Sequence, residues 1–222
     1  MAKFAPLNKA FILKARMKMR RIFTLIATAV MMTIATNSFA QMSVGAGYLH
    51  AGDQVTLKGI DPVEVGMNGA YAGVSYNLPI SDLIGIAPGL YYSLLYTKDS
   101  AFKGALGAEV IEHFVNVPVY LNLGFNLGQS SRFFIFAGPT VQLGIASKAD
   151  VSVGSLSSGK VDRYKDGDYS RTNVLLGGGI GLNLSKIQIT AGYDQGLFNL
   201  DTSNDGTKRI KRYAKAGIAY LF

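Results

Sequence analysis

The feature of this sequence that most constrains its fold is a two-residue alternation of side-chain character that runs from Gln41 onward. Successive side chains of a β-strand point to opposite faces of the sheet, so this alternation predicts strands. We predict eight strands, over residues 42–51, 67–78, 84–97, 110–123, 132–146, 171–184, 187–199 and 209–222. Apolar runs of about 20 residues, which transmembrane helices need, do not follow the N-terminal region.

The two faces of the predicted strands indicate what surrounds them. One face is almost purely apolar and includes Val117, Leu121, Ile180 and Ile218, whereas the other carries glycine and polar residues. A soluble barrel would present Lys and Glu outside, but charged residues make up only 16% of the chain. The pattern therefore predicts lipid contact outside and a glycine-rich polar interior. Within this interior we expect the large rings of Tyr71, Tyr91, Tyr120 and Phe136.

The connections between the predicted strands alternate in length. The short ones are 79–83, 124–131 and 185–186, and the long ones are 52–66, 98–109, 147–170 and 200–208. Outer-membrane barrels have short periplasmic turns and long external loops, and lipid cannot hydrogen-bond an open sheet edge. The sequence thus predicts an all-β fold, a closed up-and-down antiparallel transmembrane β-barrel whose last strand pairs with its first. A further hairpin around Val151-Ser152-Val153 would give ten strands and a wider lumen.

Prolines and aromatic residues make this arrangement testable. Proline cannot donate to a strand ladder, so we expect bulges or strand ends at Pro88, Pro118 and Pro139. Aromatic girdles mark the two membrane interfaces of such barrels. We predict them at Tyr76, Phe133, Tyr220 and Phe222 for the periplasmic end and at Tyr48 and Tyr96 for the other end.

The N-terminal region has the three parts of a secretory signal peptide. Basic residues within 18–21 precede an apolar stretch over 22–35, and small residues lie at positions −3 and −1 of a cut before Gln41. We therefore predict a signal peptide over residues 1–40 and an outer-membrane β-barrel domain over residues 41–222. Residues 1–16 fit a signal peptide poorly, so Met17 or Met19 is an alternative start.

Removal of this region would also remove the basic charge of the chain. The net charge is +8 at pH 7, but residues 1–40 hold seven Lys or Arg and no Asp or Glu. The remainder carries 15 positive and 14 negative side chains, which leaves no basic stripe for nucleic acid. The chain also has no cysteine, which excludes disulfides, thiolate metal sites and a cysteine nucleophile. We predict no cofactor and no metal site.

The C-terminal strand carries an alternation of its own. Phe222, Tyr220, Ile218 and Ala216 share one face. A terminal Phe behind alternating apolar residues resembles the signal by which the barrel-assembly machinery recognises its clients. That resemblance implies that this machinery is a partner, beside outer-membrane lipids and lipopolysaccharide.

Four further segments resemble the outer-membrane β-barrel domain family abundant in Bacteroidetes, often called porin-family or PorT-like proteins. They are residues 115–121, 134–139, 177–181 and 193–200. The resemblance covers about residues 41–222, and the three prolines lie where that family has them. It implies the fold and a location in the outer membrane of a Gram-negative bacterium, but no single activity.

Histidine is scarce, which limits the chemistry of a catalytic site. His50 and His113 are the two histidines of the chain, and both are predicted near the external rim. Catalysis would need a Ser or a carboxylate beside one of them. Glu112 is adjacent to His113 but should face the opposite side of the strand, and Asp53 is predicted in a loop. We therefore expect rim hydrogen bonding and no catalytic residues.

Charged residues are also predicted inside the barrel. Asp194 and Lys215 should point inward from neighbouring strands, nearly opposite one another, with Arg132, Arg171, Glu112 and Lys211 as further candidates. They would form either a gate or proton path, or a plug of salt bridges. Because buried charges must be paired, the plug is favoured.

These predictions favour a small outer-membrane barrel, structural or binding, that acts through its external loops without catalysis. Eight strands enclose a lumen just wide enough for side chains to fill, which argues against bulk diffusion. A narrow channel or a component of an envelope transport or secretion system is the alternative. A membrane-embedded enzyme and a soluble periplasmic barrel that binds an apolar ligand are two further hypotheses.

Overall fold

A computed structural model describes residues 41–56, 61–101, 106–153, 156–165, 169–203 and 206–222. The predicted signal peptide lies outside these residues. The described residues form nine strands: β1 (Gln41–Thr56), β2 (Val63–Pro79), β3 (Ile84–Ala101), β4 (Leu106–Asn126), β5 (Ser131–Val153), β6 (Leu156–Asp162), β7 (Thr172–Leu184), β8 (Ile187–Gly196) and β9 (Lys208–Leu221). None of the described residues forms a helix long and apolar enough to cross a membrane.

Eight of these strands form a closed antiparallel barrel, as the alternation predicts. Consecutive strands pair around the wall, except that β5 pairs with β7, and β9 closes the barrel against β1. The register runs continuously across that closure, from Ser43 opposite Leu221 to Thr56 opposite Lys208. The fold class predicted from the sequence is therefore confirmed.

The predicted extra hairpin exists, but it does not widen the barrel. Strand β6 pairs with residues 148–153 of β5, which lie beyond the part of β5 that pairs with β7. A ten-stranded wall is therefore wrong, because a hairpin that extends one wall strand adds no circumference. The same end of the barrel also has longer strands than predicted, since β3 reaches Ala101 and β4 begins at Leu106. In contrast, β8 ends at Gly196, three residues early.

The barrel has two distinct ends. Residues 80–83, 127–130 and 185–186 connect strands at one end, which we call the short-turn end. The opposite end carries the connections β1–β2, β3–β4, β5–β7 and β8–β9, and we call it the long-loop end.

The apolar face of the strands points outward, as predicted. Leu121, Ile180 and Ile218 are 55%, 52% and 57% exposed on the outer wall. The predicted girdle residues Tyr48, Tyr96, Tyr220 and Phe222 are exposed as well. This orientation is the arrangement required of a barrel in lipid, because the outer wall offers hydrocarbon chains an apolar surface.

The three prolines lie inside strands, at neighbouring positions across β3, β4 and β5. Each keeps its partner on the following wall strand: Pro88 opposes Val119, Pro118 opposes Thr140 and Pro139 opposes Leu176. The ladders toward the preceding strands are interrupted at the prolines and resume in the same register. The expected bulges or strand ends are therefore wrong, and the register shift of β4 against β5 falls at His113/Phe114 instead. A proline has no amide donor, so it loses its ladder pairing with one neighbouring strand. Its pairing with the other neighbouring strand holds the register.

Glycine on the inner wall makes room for large rings. A Cβ on Gly217 would overlap the hydroxyl of Tyr71, and a Cβ on Gly181 would overlap the Phe134 ring. The rings can therefore lie flat against neighbouring strands. This agrees with the prediction that the glycine-rich interior holds large rings.

Candidate functional site in the barrel lumen

Glu112 is the centre of a buried ionic cluster near the long-loop end. It lies on the inner face of β4 and is 2% exposed. Arg163, which follows β6, places Nη1 2.7 Å from its Oε1, and Lys211 of β9 donates to its Oε2. The Ser147 hydroxyl donates to Oε1 at 3.4 Å. Two cations thus compensate one buried carboxylate, which burial of the charge requires.

A second carboxylate and a tyrosine complete this cluster. Asp53 of β1 pairs with Arg209 of β9 at 3.4 Å. The ring of Tyr169 lies 4.3 Å from the Arg163 guanidinium and 5.5 Å from Arg209 and from the Lys211 ammonium. Burial raises the pKa of the Tyr169 hydroxyl, so the residue stays neutral and its ring face attracts the cations.

Tyr164 extends the cluster toward the β5–β7 connection. The centre of its ring lies 5.6 Å from the centre of the Tyr169 ring and 5.0 Å from the Arg171 guanidinium carbon. Burial and the nearby Glu112 carboxylate raise the pKa of Tyr164. A Cβ on Gly144 would overlap the Tyr164 ring, so the glycine creates its place. We call Asp53, Glu112, Arg163, Tyr164, Tyr169, Arg209 and Lys211 the mouth cluster.

An apolar layer lies next to the mouth cluster. Its members are buried and contact one another across the lumen: Leu49, Ala51, Met67, Leu95, Phe114, Leu175 and Tyr213. Close-packed side chains of this kind leave no room for water to pass. The mouth cluster and the apolar layer together close the long-loop half of the lumen.

The short-turn half of the lumen contains a cavity of about 130 Å³. Its lining extends from the apolar layer to Gln41, Asn77 and Asn122 near the short-turn end. Lys215 and Asp194 face each other in its wall, with Nζ 2.5 Å from Oδ2, and Lys215 also donates to the Tyr120 hydroxyl at 2.6 Å. Tyr71, Tyr91 and Phe136 line it as well, as the sequence predicts.

A chain of hydrogen bonds joins the apolar layer to the cavity. The Tyr213 hydroxyl donates to Gln142 Oε1 at 2.9 Å, and Gln142 Nε2 donates to Asn116 Oδ1 at 3.1 Å. Asn116 Nδ2 in turn donates to the Ser93 hydroxyl at 3.0 Å. These bonds span four strands, so they fix the side chains at the inner end of the cavity.

The predicted inward charges divide into two groups. Asp194 pairs with Lys215 as predicted, and Glu112 pairs with Lys211 in the separate mouth cluster. The other two candidates, Arg132 and Arg171, belong to neither of these ion pairs. Arg132 donates to the Asp82 carbonyl at 2.9 Å in the adjacent turn, because it lies at the short-turn end of β5. Arg171 precedes β7 and is exposed, with its guanidinium over Tyr164.

Both histidines lie on the outer wall. His50 Nδ1 is 2.8 Å from Asn68 Oδ1, and His113 Nδ1 is 2.6 Å from the Tyr92 hydroxyl. Glu112 faces the lumen, opposite to His113, as predicted. The prediction that Asp53 lies in a loop is wrong, since β1 continues past it and turns it inward to Arg209. Among the described residues, no three His, Asp or Glu form a group that could hold a metal ion.

The sequence reasoning missed the loop residues of the mouth cluster. Arg163, Tyr164 and Tyr169 belong to a charged connection that resembled an ordinary solvent-exposed loop. The excess of rings among its charges was the available signal, because tyrosine in such a loop favours a packed position.

A family model described as outer membrane protein beta-barrel domain matches residues 66–202. No curated protein matches the chain. Among solved structures, Ail of Yersinia pestis is 16% identical with a TM-score of 0.44, and the match covers 82% of this chain and 99% of that one. Neisserial surface protein A is 14% identical with a TM-score of 0.46, and the match covers 82% of this chain and 97% of that one.

Proposed function

This chain belongs to the outer membrane protein beta-barrel domain family, and on that premise we propose a non-enzymatic role, structural or binding, carried by its long loops. The long-loop end would face the cell exterior, where barrels of the outer membrane carry their long connections. In this role the wall anchors the protein in lipid and the loops meet external partners.

The closed lumen is the observation that carries this proposal. Lys211 and Glu112 are 1% and 2% exposed, and Ala51 and Leu95 of the apolar layer are fully buried. A solute that crossed the barrel would have to separate buried ion pairs and open an apolar layer, and both steps cost free energy. This supports a binding or structural role over a narrow channel or a transport component.

Two of the long connections, β5–β7 and β8–β9, are held against each other through their described residues, which suits a binding surface. Tyr169 forms a β-bridge with Asp201 of the β8–β9 connection. The Ser170 amide donates to the Leu200 carbonyl at 2.8 Å. Arg163 and Tyr169 tie the β5–β7 connection to the mouth cluster below. Loops that are ordered before binding lose less conformational entropy when a partner binds.

The positions of the histidines support the absence of catalysis. A hydrolytic site would place a Ser or carboxylate against the imidazole, whereas the hydrogen-bond partners described for His50 and His113 are Asn68 and Tyr92. We therefore propose that the protein is not an enzyme.

Location and assembly complete the proposal. The family places the chain in the outer membrane, with lipids and lipopolysaccharide against the outer wall. We propose cleavage of the signal peptide before Gln41, recognition of β9 by the barrel-assembly machinery, and kinship with the PorT-like proteins of Bacteroidetes. The first is checked by the mass of the mature protein purified from outer membranes.

A liposome-swelling assay tests the proposal. Liposomes that contain the folded protein are diluted into isotonic solutions of sugars of increasing size. We expect swelling no faster than that of protein-free liposomes, while a general porin in parallel liposomes gives rapid swelling. Passage of monosaccharides through this protein would reject the closed lumen and favour the channel.

A further inference from the structure

We propose that the cavity in the short-turn half of the barrel is a binding site for a small uncharged polyhydroxylated solute of monosaccharide size. The long loops are not part of this site, so the proposal does not depend on their role. It rests on the volume of the cavity, its closed inner end, the chemistry of its lining and one remaining N–H donor of Lys215.

The cavity is large enough for a solute and has one entrance. A cavity needs about 10–15 Å³ on this measure to hold one water, and this one measures about 130 Å³. The apolar layer, with Leu49, Phe114 and Tyr213 in the lining, closes its inner end. The lining reaches Gln41, Asn77 and Gln188 at the short-turn end. A solute would therefore enter and leave from that end.

The lining favours an uncharged ligand. Its two ionic groups, Lys215 and Asp194, neutralise each other at 2.5 Å. A charged solute would lose its hydration without gaining a free counter-charge. An apolar solute would strip water from the amides and hydroxyls of the lining without replacing those hydrogen bonds. A neutral solute with several hydroxyl groups avoids both costs.

Lys215 supplies the specific contact. Two of its three N–H donors bond to Asp194 Oδ2 and to the Tyr120 hydroxyl, while the Asp194 Oδ1 atom is buried against Gly177. The Lys215 side chain is 17% exposed, so its third N–H can donate to a ligand hydroxyl oxygen.

The rings of the lining offer a second kind of contact. Tyr71, Tyr91, Tyr120 and Phe136 all line the cavity. The C–H face of a sugar ring is apolar and packs against aromatic faces, while its hydroxyls reach side chains around the edge. The amides of Asn116, Asn122 and Gln142 line the cavity too, and each keeps unused N–H or lone-pair positions beyond its hydrogen bonds to Ser93, Asn77 and Tyr213. Rings and amides thus complement the two surfaces of one small polyol.

Three probes of similar ring size test the chemistry. The full barrel, 15N-labelled and folded in detergent micelles, is titrated with D-glucose, D-glucose 6-phosphate and cyclohexanol, and amide shifts are followed by NMR. We expect saturable shifts with glucose at Gly45, Thr140 and Thr190, which line the cavity. The phosphate ester and cyclohexanol should each bind at least about tenfold more weakly. The phosphate charge finds no free counter-charge in the cavity, and cyclohexanol has a single hydroxyl group to bond to the polar lining.

Two matched variants locate the site. Ala87 lines the cavity, so A87F should fill it and abolish the glucose shifts. Ala137 is exposed on the outer wall, so A137F should leave them unchanged. Heat-modifiable gel mobility checks folding of both, and if A87F fails to fold, the three-probe titration of the unmodified protein decides alone.

Three results would overturn the proposal. They are an absence of saturable glucose shifts, shifts that appear at the long-loop end, and equal affinity for all three probes. An absence of glucose binding would leave the closed lumen and the proposed function untouched, whereas passage of sugars in the swelling assay would remove the closed inner end. The two experiments therefore distinguish the failure of one proposal from the failure of the other.

Discussion

The two halves of the lumen share one wall but are filled in different ways. At the long-loop end, Arg163, Tyr164 and Tyr169 come from a connection outside the wall and pack onto Glu112 and Lys211. At the short-turn end the connections are only two to four residues long, too short to fold back into the lumen. There the wall alone supplies the side chains, and a cavity remains. The difference teaches that loop length decides which half of a small barrel is sealed.

The largest expected effect that separates the halves comes from the mouth cluster. E112Q keeps the shape of the side chain but leaves Lys211 buried without its counter-ion. We expect a loss of about 3–5 kcal/mol of unfolding free energy, measured by urea unfolding in lipid vesicles. A loss smaller than that of D194N would show that the mouth cluster stabilises the barrel less than the ion pair of the cavity does.

The second effect concerns the space made for a loop ring. A Cβ in G144A would overlap Tyr164 and displace it, with an expected loss of about 2 kcal/mol. G192A is the matched control in the cavity half, because its Cβ would come no closer than 3.0 Å to the Gly178 carbonyl oxygen and 3.1 and 3.2 Å to the Phe136 and Lys215 side chains, whereas a Cβ on Gly144 would lie 2.0 Å from the Tyr164 hydroxyl. Equal losses in the two variants would contradict the comparison.

A smaller effect is expected at the ion pair of the cavity. D194N removes the carboxylate charge, but Lys215 keeps its hydrogen bond to Tyr120 and borders a cavity with room for water. We expect a loss of about 1 kcal/mol, since water can replace part of the lost contact. The same unfolding assay measures it, and a loss equal to that of E112Q would show that the cavity is dry.

The smallest effect is an alkaline one. The pKa of Tyr169 is raised above its ordinary value of 10.0 by burial. Tyr169 ionises at a lower pH in the unfolded chain than in the folded barrel. The stability that the neutral Tyr169 hydroxyl contributes is therefore complete below pH 10 and declines as the pH rises from there toward the folded pKa. We expect the urea midpoint to fall above pH 10 and to fall less steeply in Y169F. Identical slopes would mean that this hydroxyl is solvated.

Much of the wall could be read from local pattern. Alternation identified the eight barrel strands, the outward face of Leu121 and Ile218, and the inward position of Tyr71 and Tyr91. Counting along a hairpin brought Asp194 and Lys215 together, because they lie on adjacent strands 21 residues apart. The further inward candidates did not join that pair: Glu112 and Lys211 pair with each other, while Arg132 and Arg171, near strand ends, contact the adjacent connections.

The sequence by itself determined the fold class and the lipid-facing surface, because a period of two and a closed ladder depend on neighbours along and beside each strand. The tertiary structure alone decided how the lumen is filled. Arg163 and Lys211 are 51 and 99 residues from Glu112, and they meet it only after the barrel has closed and a loop has folded into its end. Contacts across a lumen have no sequence period, so no pattern along the chain announces them.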